Sequence, residues 1–145
     1  MWRIAKAYSL NVVPLPTAVG RHELIFDDDF SEVVHQVPRS CYFNTASGKI
    51  TVGKNTVFGE RVMVLTGKHL NIQEAANKAL SLHDVPENGR DVNIGFGCYI
   101  GSGAIIIGPV QIGDFSVIGA GSVVVKNVPK KTFYAGNPAR MIRKI

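Results

Sequence analysis

The sequence predicts an all-β fold, a parallel β-helix of triangular coils. Three observations point to it: a repeat of six residues, a repeat of eighteen laid over it, and an interruption that leaves both in phase. From residue 94 the chain divides into IGFGCY, IGSGAI, IIGPVQ, IGDFSV, IGAGSV and VVKNVP. The blocks open with Ile94, Ile100, Ile106, Ile112, Ile118 and Val124, and their fifth residues are Cys98, Ala104, Val110, Ser116, Ser122 and Val128. A large aliphatic residue is thus followed by a small one at a spacing that fits neither a helix of about 3.6 residues per turn nor a simple hairpin. The same division holds upstream in VGKNTV, FGERVM and VLTGKH, opened by Val52, Phe58 and Val64.

The longer period appears in the residue after each opener, which is Gly53, Gly59, Leu65, then Gly95, Gly101, Ile107, then Gly113, Gly119, Val125. Two glycines and an aliphatic recur every eighteen residues, so three six-residue faces close one turn, and glycine occupies corners whose backbone angles other residues resist. A single coil cannot bury its own apolar residues, so stability comes from stacking like positions. A β-sandwich with turns every ~8 to 12 residues predicts no such register. Leu70 to Asn93 abandons the pattern and reads as a corner insertion; IQEAANKALSLH within it has good helix formers, with Ile72, Ala76, Ala79 and Leu80 at helical spacing. The single domain, 1–145, is therefore expected to comprise an N-terminal cover over 1–39, coils over 40–69 and 94–129, the inserted loop over 70–93 and a C-terminal cap over 130–145. In that cap ARMIRKI is expected to lay Met141, Ile142 and Ile145 over the last coil, and the cover protects an otherwise unpaired edge.

Composition narrows the functional classes. The 145 residues are 46% hydrophobic and 19% charged, as in a packed globular domain. No apolar run reaches the ~20 residues of a membrane span, and Pro14 and Pro16 interrupt the opening segment, so the expected location is cytoplasmic. Cys41 and Cys98 are too few for a disulfide scaffold and read as reduced thiols. The net charge of +5 collects at the C-terminus, where no acidic residue follows Asp114. The aromatic and basic interleaving of a single-strand binder is missing there, which argues against nucleic acid and for a phosphate-bearing small ligand.

The repeat, VLTGKH before the insertion, CYIGSGAIIIGPVQIGDFSVIGAGSVVVKNVP and the closing AGNPARMIRKI resemble the hexapeptide-repeat acyltransferases, within them the galactoside, maltose and xenobiotic acetyltransferase branch. The resemblance covers roughly residues 46 to 145. It implies a left-handed β-helix, a homotrimer with active sites between subunits, acetyl-CoA as co-substrate without a metal, and a sugar or sugar-nucleotide acceptor. By position, His69 matches the general base that takes a proton from the acceptor hydroxyl; imidazole titrates near neutral pH, and such a base contributes ~10²- to 10⁴-fold. The competing reading of His69 is an ordinary surface histidine. Ser102 falls where a backbone N–H faces the thioester oxygen and serves as oxyanion donor. Tyr99 stands where relatives often place a tryptophan against the pantetheine arm, Gly101 and Ala120 where close backbone approach to CoA is needed. Lys126, Lys131, Arg140 and Arg143 are candidates for its phosphates. Asn44, Asp28 and His83 are the nearest candidates for holding the sugar, with solvated turns as the competing reading.

Relatives of the galactoside type carry glycine directly before the histidine and proline after it, whereas Lys68 and Leu70 flank His69 here, closer to members found beside polysaccharide genes. O-acetylation of a sugar or glycan hydroxyl is the expected reaction. N-acetylation of an amino sugar nucleotide and a non-catalytic trimeric scaffold are the alternatives. A carbonic anhydrase on this fold needs three metal-binding histidines, and the four histidines here are widely spaced.

Overall fold

The computed structural model describes residues 16–67, 69–70, 72–81 and 84–145. The chain winds as a left-handed parallel β-helix whose strands fall into three sheets. Sheet A holds β1 (Thr17–Gly20), β3 (Tyr42–Thr45), β6 (Met63–Leu65), β9 (Ile105–Ile107) and β12 (Val123–Val124). Sheet B holds β2 (Leu24–Phe26), β4 (Ile50–Val52), β7 (Val92–Ile94) and β10 (Val110–Ile112). Sheet C holds β5 (Val57–Phe58), β8 (Tyr99–Ile100), β11 (Val117–Ile118), β13 (Thr132–Gly136) and β14 (Ala139–Lys144). From β3 onward the chain passes A, B, C in turn, so these coils have an A/B, a B/C and a C/A corner.

Register follows the repeat. Val92 pairs with Val110, Tyr99 with Val117 and Ile105 with Val123, each eighteen residues apart. Across the insertion Ile50 pairs with Val92, Val57 with Tyr99 and Met63 with Ile105, each forty-two residues apart. The excess is the length of the stretch from Leu70 to Asn93, so the insertion leaves the A/B corner and returns to it without disturbing the stack. A short helix, α2 (Ile72–Lys78), lies within it.

All nine openers and all six small positions face inward, none more than 3% exposed. At ~25 cal/mol per Å², burial of stacked Ile and Val is the main stabilising contribution, and the buried thiols join it as small apolar groups. Cys41 Sγ reaches the Gly59 carbonyl at 3.4 Å and Cys98 Sγ that of Gly113 at 3.3 Å. Burial pushes the Cys41 thiol up to about 11 and raises that of Cys98 as well.

The two ends differ from expectation. Part of the N-terminal cover is coil: β1 pairs in parallel with β3, and β2 with β4. Thr17 pairs with Tyr42 and Leu24 with Ile50, intervals of twenty-five and twenty-six residues, because α1 (Phe30–Gln36) follows β2 where the third face would come. Val33 and Val37 of this segment are buried, and an edge-to-face series of Phe26, Phe43 and Phe58, centroids 5.8 Å apart, fills this end of the core. At the C-terminus β13 and β14 form an antiparallel hairpin on the edge of sheet C. Met141, Ile142 and Ile145 do not lie over the last coil: they are 45%, 58% and 56% exposed, since β14 extends the sheet sideways and only Ala139 packs inward.

Candidate active site

The candidate residues gather at two corners on either side of sheet A. His69 stands at the A/B corner, exposed, four residues past the end of β6. Beside its strand lies Asn44 of the preceding coil, whose Oδ1 accepts the Ala46 N–H at 2.8 Å. Gly67 makes the neighbouring space: a Cβ there would stand 2.9 Å from Asn44 Oδ1. Below it, buried Thr66 receives the Ser47 N–H at 3.0 Å on its hydroxyl and donates to the Asn44 carbonyl at 2.9 Å. These bonds fix the coil from which His69 departs. The insertion is held at both its limbs. The Leu70 N–H donates to the Asp84 carbonyl at 3.2 Å, and the Arg90 N–H to that of Ser47 at 3.1 Å. Leu70 itself is 6% exposed and anchors the residue next to His69. Arg90 lies 3.7 Å from Glu74 of α2, and His22 Nε2 donates to the Glu87 carbonyl at 2.7 Å, fastening the loop to the first coil.

The C/A corner presents backbone instead of a functional side chain. Ser102 and Ala120 occupy equivalent exposed positions in successive coils, and neither amide N–H has an acceptor among the described residues. Gly101 permits the stacking, because a Cβ at 101 would lie 2.5 Å from the Ala120 nitrogen. Ser102 Oγ accepts the Glu60 N–H at 3.1 Å, so its side chain seals the corner below while its own amide stays open. Glu60, Arg61, Ser102 and Gly103 line a depression of about 290 Å³ there. The ring of Tyr99, 48% exposed, stands on the outer face of sheet C just before this corner.

The remaining candidates are dispersed. Register opposite Ala135 puts Arg140 at the C/A end of the hairpin, in line with Ser102 and Ala120, whereas Arg143 pairs with Phe133 near the B/C end. Lys131 is at the B/C corner, and Lys126 follows β12 at the A/B corner, the same edge as His69. Asp28 is not brought to either of these corners. It lies two residues past β2, where its Oδ2 accepts the Asn55 N–H at 2.6 Å, as Asp114 Oδ1 accepts that of Phe96 at 2.8 Å further along. His83 lies outside the described residues. The sequence reading passed over Gly67, Glu60, Arg61 and the His22–Glu87 link; only Gly67 had a local signal, a glycine two residues before the corner histidine. Among the described residues no group of three His, Cys, Asp or Glu side chains could hold a metal ion, and no helix is long and apolar enough to cross a membrane.

Residues 91–126 match the family described as bacterial transferase hexapeptide (six repeats). Galactoside O-acetyltransferase of Escherichia coli is 32% identical over 146 residues, spanning 90% of this chain and 71% of that protein. The chain belongs to the hexapeptide-repeat acyltransferases. Among solved structures of these acyltransferases, a maltose O-acetyltransferase from Clostridium difficile is 29% identical with a TM-score of 0.55, over 88% of this chain and 69% of that one. A hexapeptide-repeat acetyltransferase from Vibrio cholerae, solved with acetyl coenzyme A, shares the fold at a TM-score of 0.60 and 22% identity, over 97% of this chain and 76% of that one. The chain spans only 44% of a Schizosaccharomyces pombe relative to which it is 41% identical over 96 residues.

Proposed function

We propose that this acyltransferase moves an acetyl group from acetyl-CoA to a sugar or glycan hydroxyl, with His69 as general base. The observation that carries the reading is the division of labour between the two corners flanking sheet A. Its outer face is apolar, with Tyr42, Met63, Leu65, Ile105, Ile107, Val123 and the 41% exposed Val125 along it. Turned toward a threefold axis, that face lets the A/B corner of one subunit meet the C/A corner of the next, which brings His69 to the Ser102 and Ala120 amides of a neighbour. The reading is supported by an E. coli relative that is a galactoside O-acetyltransferase and by the acetyl coenzyme A bound in the V. cholerae structure.

In this site the His69 imidazole removes the acceptor hydroxyl proton as that oxygen attacks the thioester carbonyl. The Ser102 N–H donates to the oxygen that becomes negative in the tetrahedral state, and a fixed amide needs no reorganisation to do so. Collapse expels the CoA thiolate, which takes the proton from the imidazolium. Asn44 presents its amide beside the acceptor, the Ala120 amide and Tyr99 border the pantetheine arm, and Arg140 is the cation best aligned for a phosphate. A cytoplasmic location accords with the supply of acetyl-CoA and with two unpaired thiols.

Thiol release from acetyl-CoA, scored over a panel of sugars and sugar nucleotides, tests the reading. His69→Ala is expected to remain a folded trimer and to lose ~10²- to 10⁴-fold in turnover; undiminished turnover rules His69 out as base. Acetyl-CoA at about a hundred times its dissociation constant is expected to stabilise the protein by ~2.7 kcal/mol. No shift in thermal midpoint would favour a scaffold.

A further inference from the structure

We propose that the B/C corner, on the far side of the coil from sheet A, is a separate binding site for an acidic glycan chain. Successive corners stack there through the Gly97 N–H to Lys54, the Phe115 N–H to Phe96 and the Lys131 N–H to Asp114, all onto carbonyls at 2.8 to 2.9 Å. One residue in each has a left-handed backbone: Asn55 at φ 58°, Gly97 at 63°, Phe115 at 57° and Lys131 at 55°. The corner imposes this backbone on every coil, and asparagine and glycine tolerate it, whereas the bulky aromatic Phe115 adopts it at a steric cost, as Arg61 does at φ 56° on the C/A corner. The Phe115 ring does not serve the core. It is 49% exposed, lies over Gly97 of the preceding coil, where an added Cβ would stand 3.0 Å from the ring, and meets the 39% exposed Phe96 edge to face with centroids 5.3 Å apart. Strain held at an exposed aromatic points to recognition.

A second observation lies at the end of the same edge. Lys130 and Lys131 close the corner, the Ile145 N–H donates to the Lys131 carbonyl at 2.8 Å, and register puts Lys144 opposite Thr132 and Arg143 opposite Phe133. These four exposed cations form no ion pair with a carboxylate among the described residues. The local carboxylate, Asp114, accepts the Phe96 N–H. Phenyl rings suit the apolar C–H face of a pyranose, and ammonium and guanidinium groups suit carboxylates borne along the chain. Coils rise by about 4.8 Å, so rings and cations form a ladder rather than a single pocket. An edge-to-face pair offers no parallel slot for a nucleobase, which separates this edge from the stacking platforms of single-strand binders. The ligand class rests on the sugar-acceptor reading above; the site itself does not share its residues.

Polygalacturonate, a polymer with a carboxylate on every sugar, serves as the probe, with dextran, poly(U) and phosphatidylserine-containing vesicles as comparisons, all binding to the full chain. Retention on polygalacturonate, weakening as salt rises, is expected, with little on dextran. Phe115→Asn, which copies Asn55, is expected to weaken binding ~10-fold, with the thermal midpoint unchanged or raised. Lys130→Ser is expected to weaken it several-fold. Absence of wild-type binding, equal or tighter binding to poly(U) or vesicles, or an unaffected Phe115→Asn overturns the proposal. Thiol release with a monosaccharide acceptor keeps the two readings apart. Loss of polymer binding with monosaccharide turnover intact supports a separate site, and parallel loss of both overturns its separateness. Polymer binding by a protein that turns over no sugar supports the site and counts against the proposed activity alone.

Discussion

The A/B and C/A corners are bends of one prism, yet they offer opposite chemistry. At the A/B corner the chain leaves the stack, and His69 stands exposed at the point of departure. At the C/A corner the chain stays in the stack, and the open groups are the amides of Ser102 and Ala120, reachable because the neighbouring side chains are small. On the proposed reading His69 needs room for the acceptor, which an insertion provides. A backbone donor needs side chains kept away, which tight stacking provides.

Mixing variants gives the largest effect. If the proposed site lies between subunits of a trimer, His69→Ala and Ala120→Trp, each expected to be inactive by itself, should regain up to about a quarter of wild-type turnover when co-expressed, because mixed trimers would rebuild some sites from two intact corners. No recovery would mean that both corners act within one subunit. Next, Asn44→Ala should raise the acceptor KM ~10-fold, the worth of one hydrogen bond, with the KM for acetyl-CoA unchanged. Equal effects on both would detach Asn44 from the acceptor side. Ser102→Ala removes the oxygen that caps Glu60 and should cost about 1 kcal/mol in urea unfolding while leaving turnover within a few-fold, since the amide remains. A large loss of turnover would assign the chemistry to the hydroxyl. The buried Ser47 hydroxyl has no hydrogen-bond partner among the described residues, so Ser47→Ala should raise stability by up to ~1 kcal/mol.

The smallest effect concerns pH. Cys41 ionises at about 9 when unfolded and about 11 when folded, so the unfolded chain loses this proton first and stability falls as pH rises between those values. Cys41→Ala is expected to flatten that part of the thermal-midpoint profile, and an unchanged slope would place the titration elsewhere.

The regular coils were legible because inward positions repeat without exception from Ile94 to Val128, and each repeat must match the one it stacks on. The first coil was not, since α1 replaces a face and removes the period by which β1 and β2 could be found. The C-terminal hairpin hid for another reason: ARMIRKI carries apolar residues at spacings that suit a packed segment, but edge pairing of β14 with β13 satisfies its backbone and leaves them outside. For the site, His69 and Ser102 could be located at their corners by counting sixes. The dispersal of the cations could not, because Arg140 and Arg143 are three residues apart in sequence and are separated only by hairpin register.

The intact register across the insertion has an evolutionary corollary. Strands on both sides pair whatever the loop between them does, and the entropy of closing a loop grows only logarithmically, by about 0.6 kcal/mol for each doubling of length. The loop between Leu70 and Arg90 can therefore lengthen, shorten or change composition at little thermodynamic penalty while the Ser102–Ala120 column keeps its geometry. Under the proposed function, acceptor preference and donor binding are then heritable separately, and a loop exchanged between relatives becomes a self-contained unit of specificity.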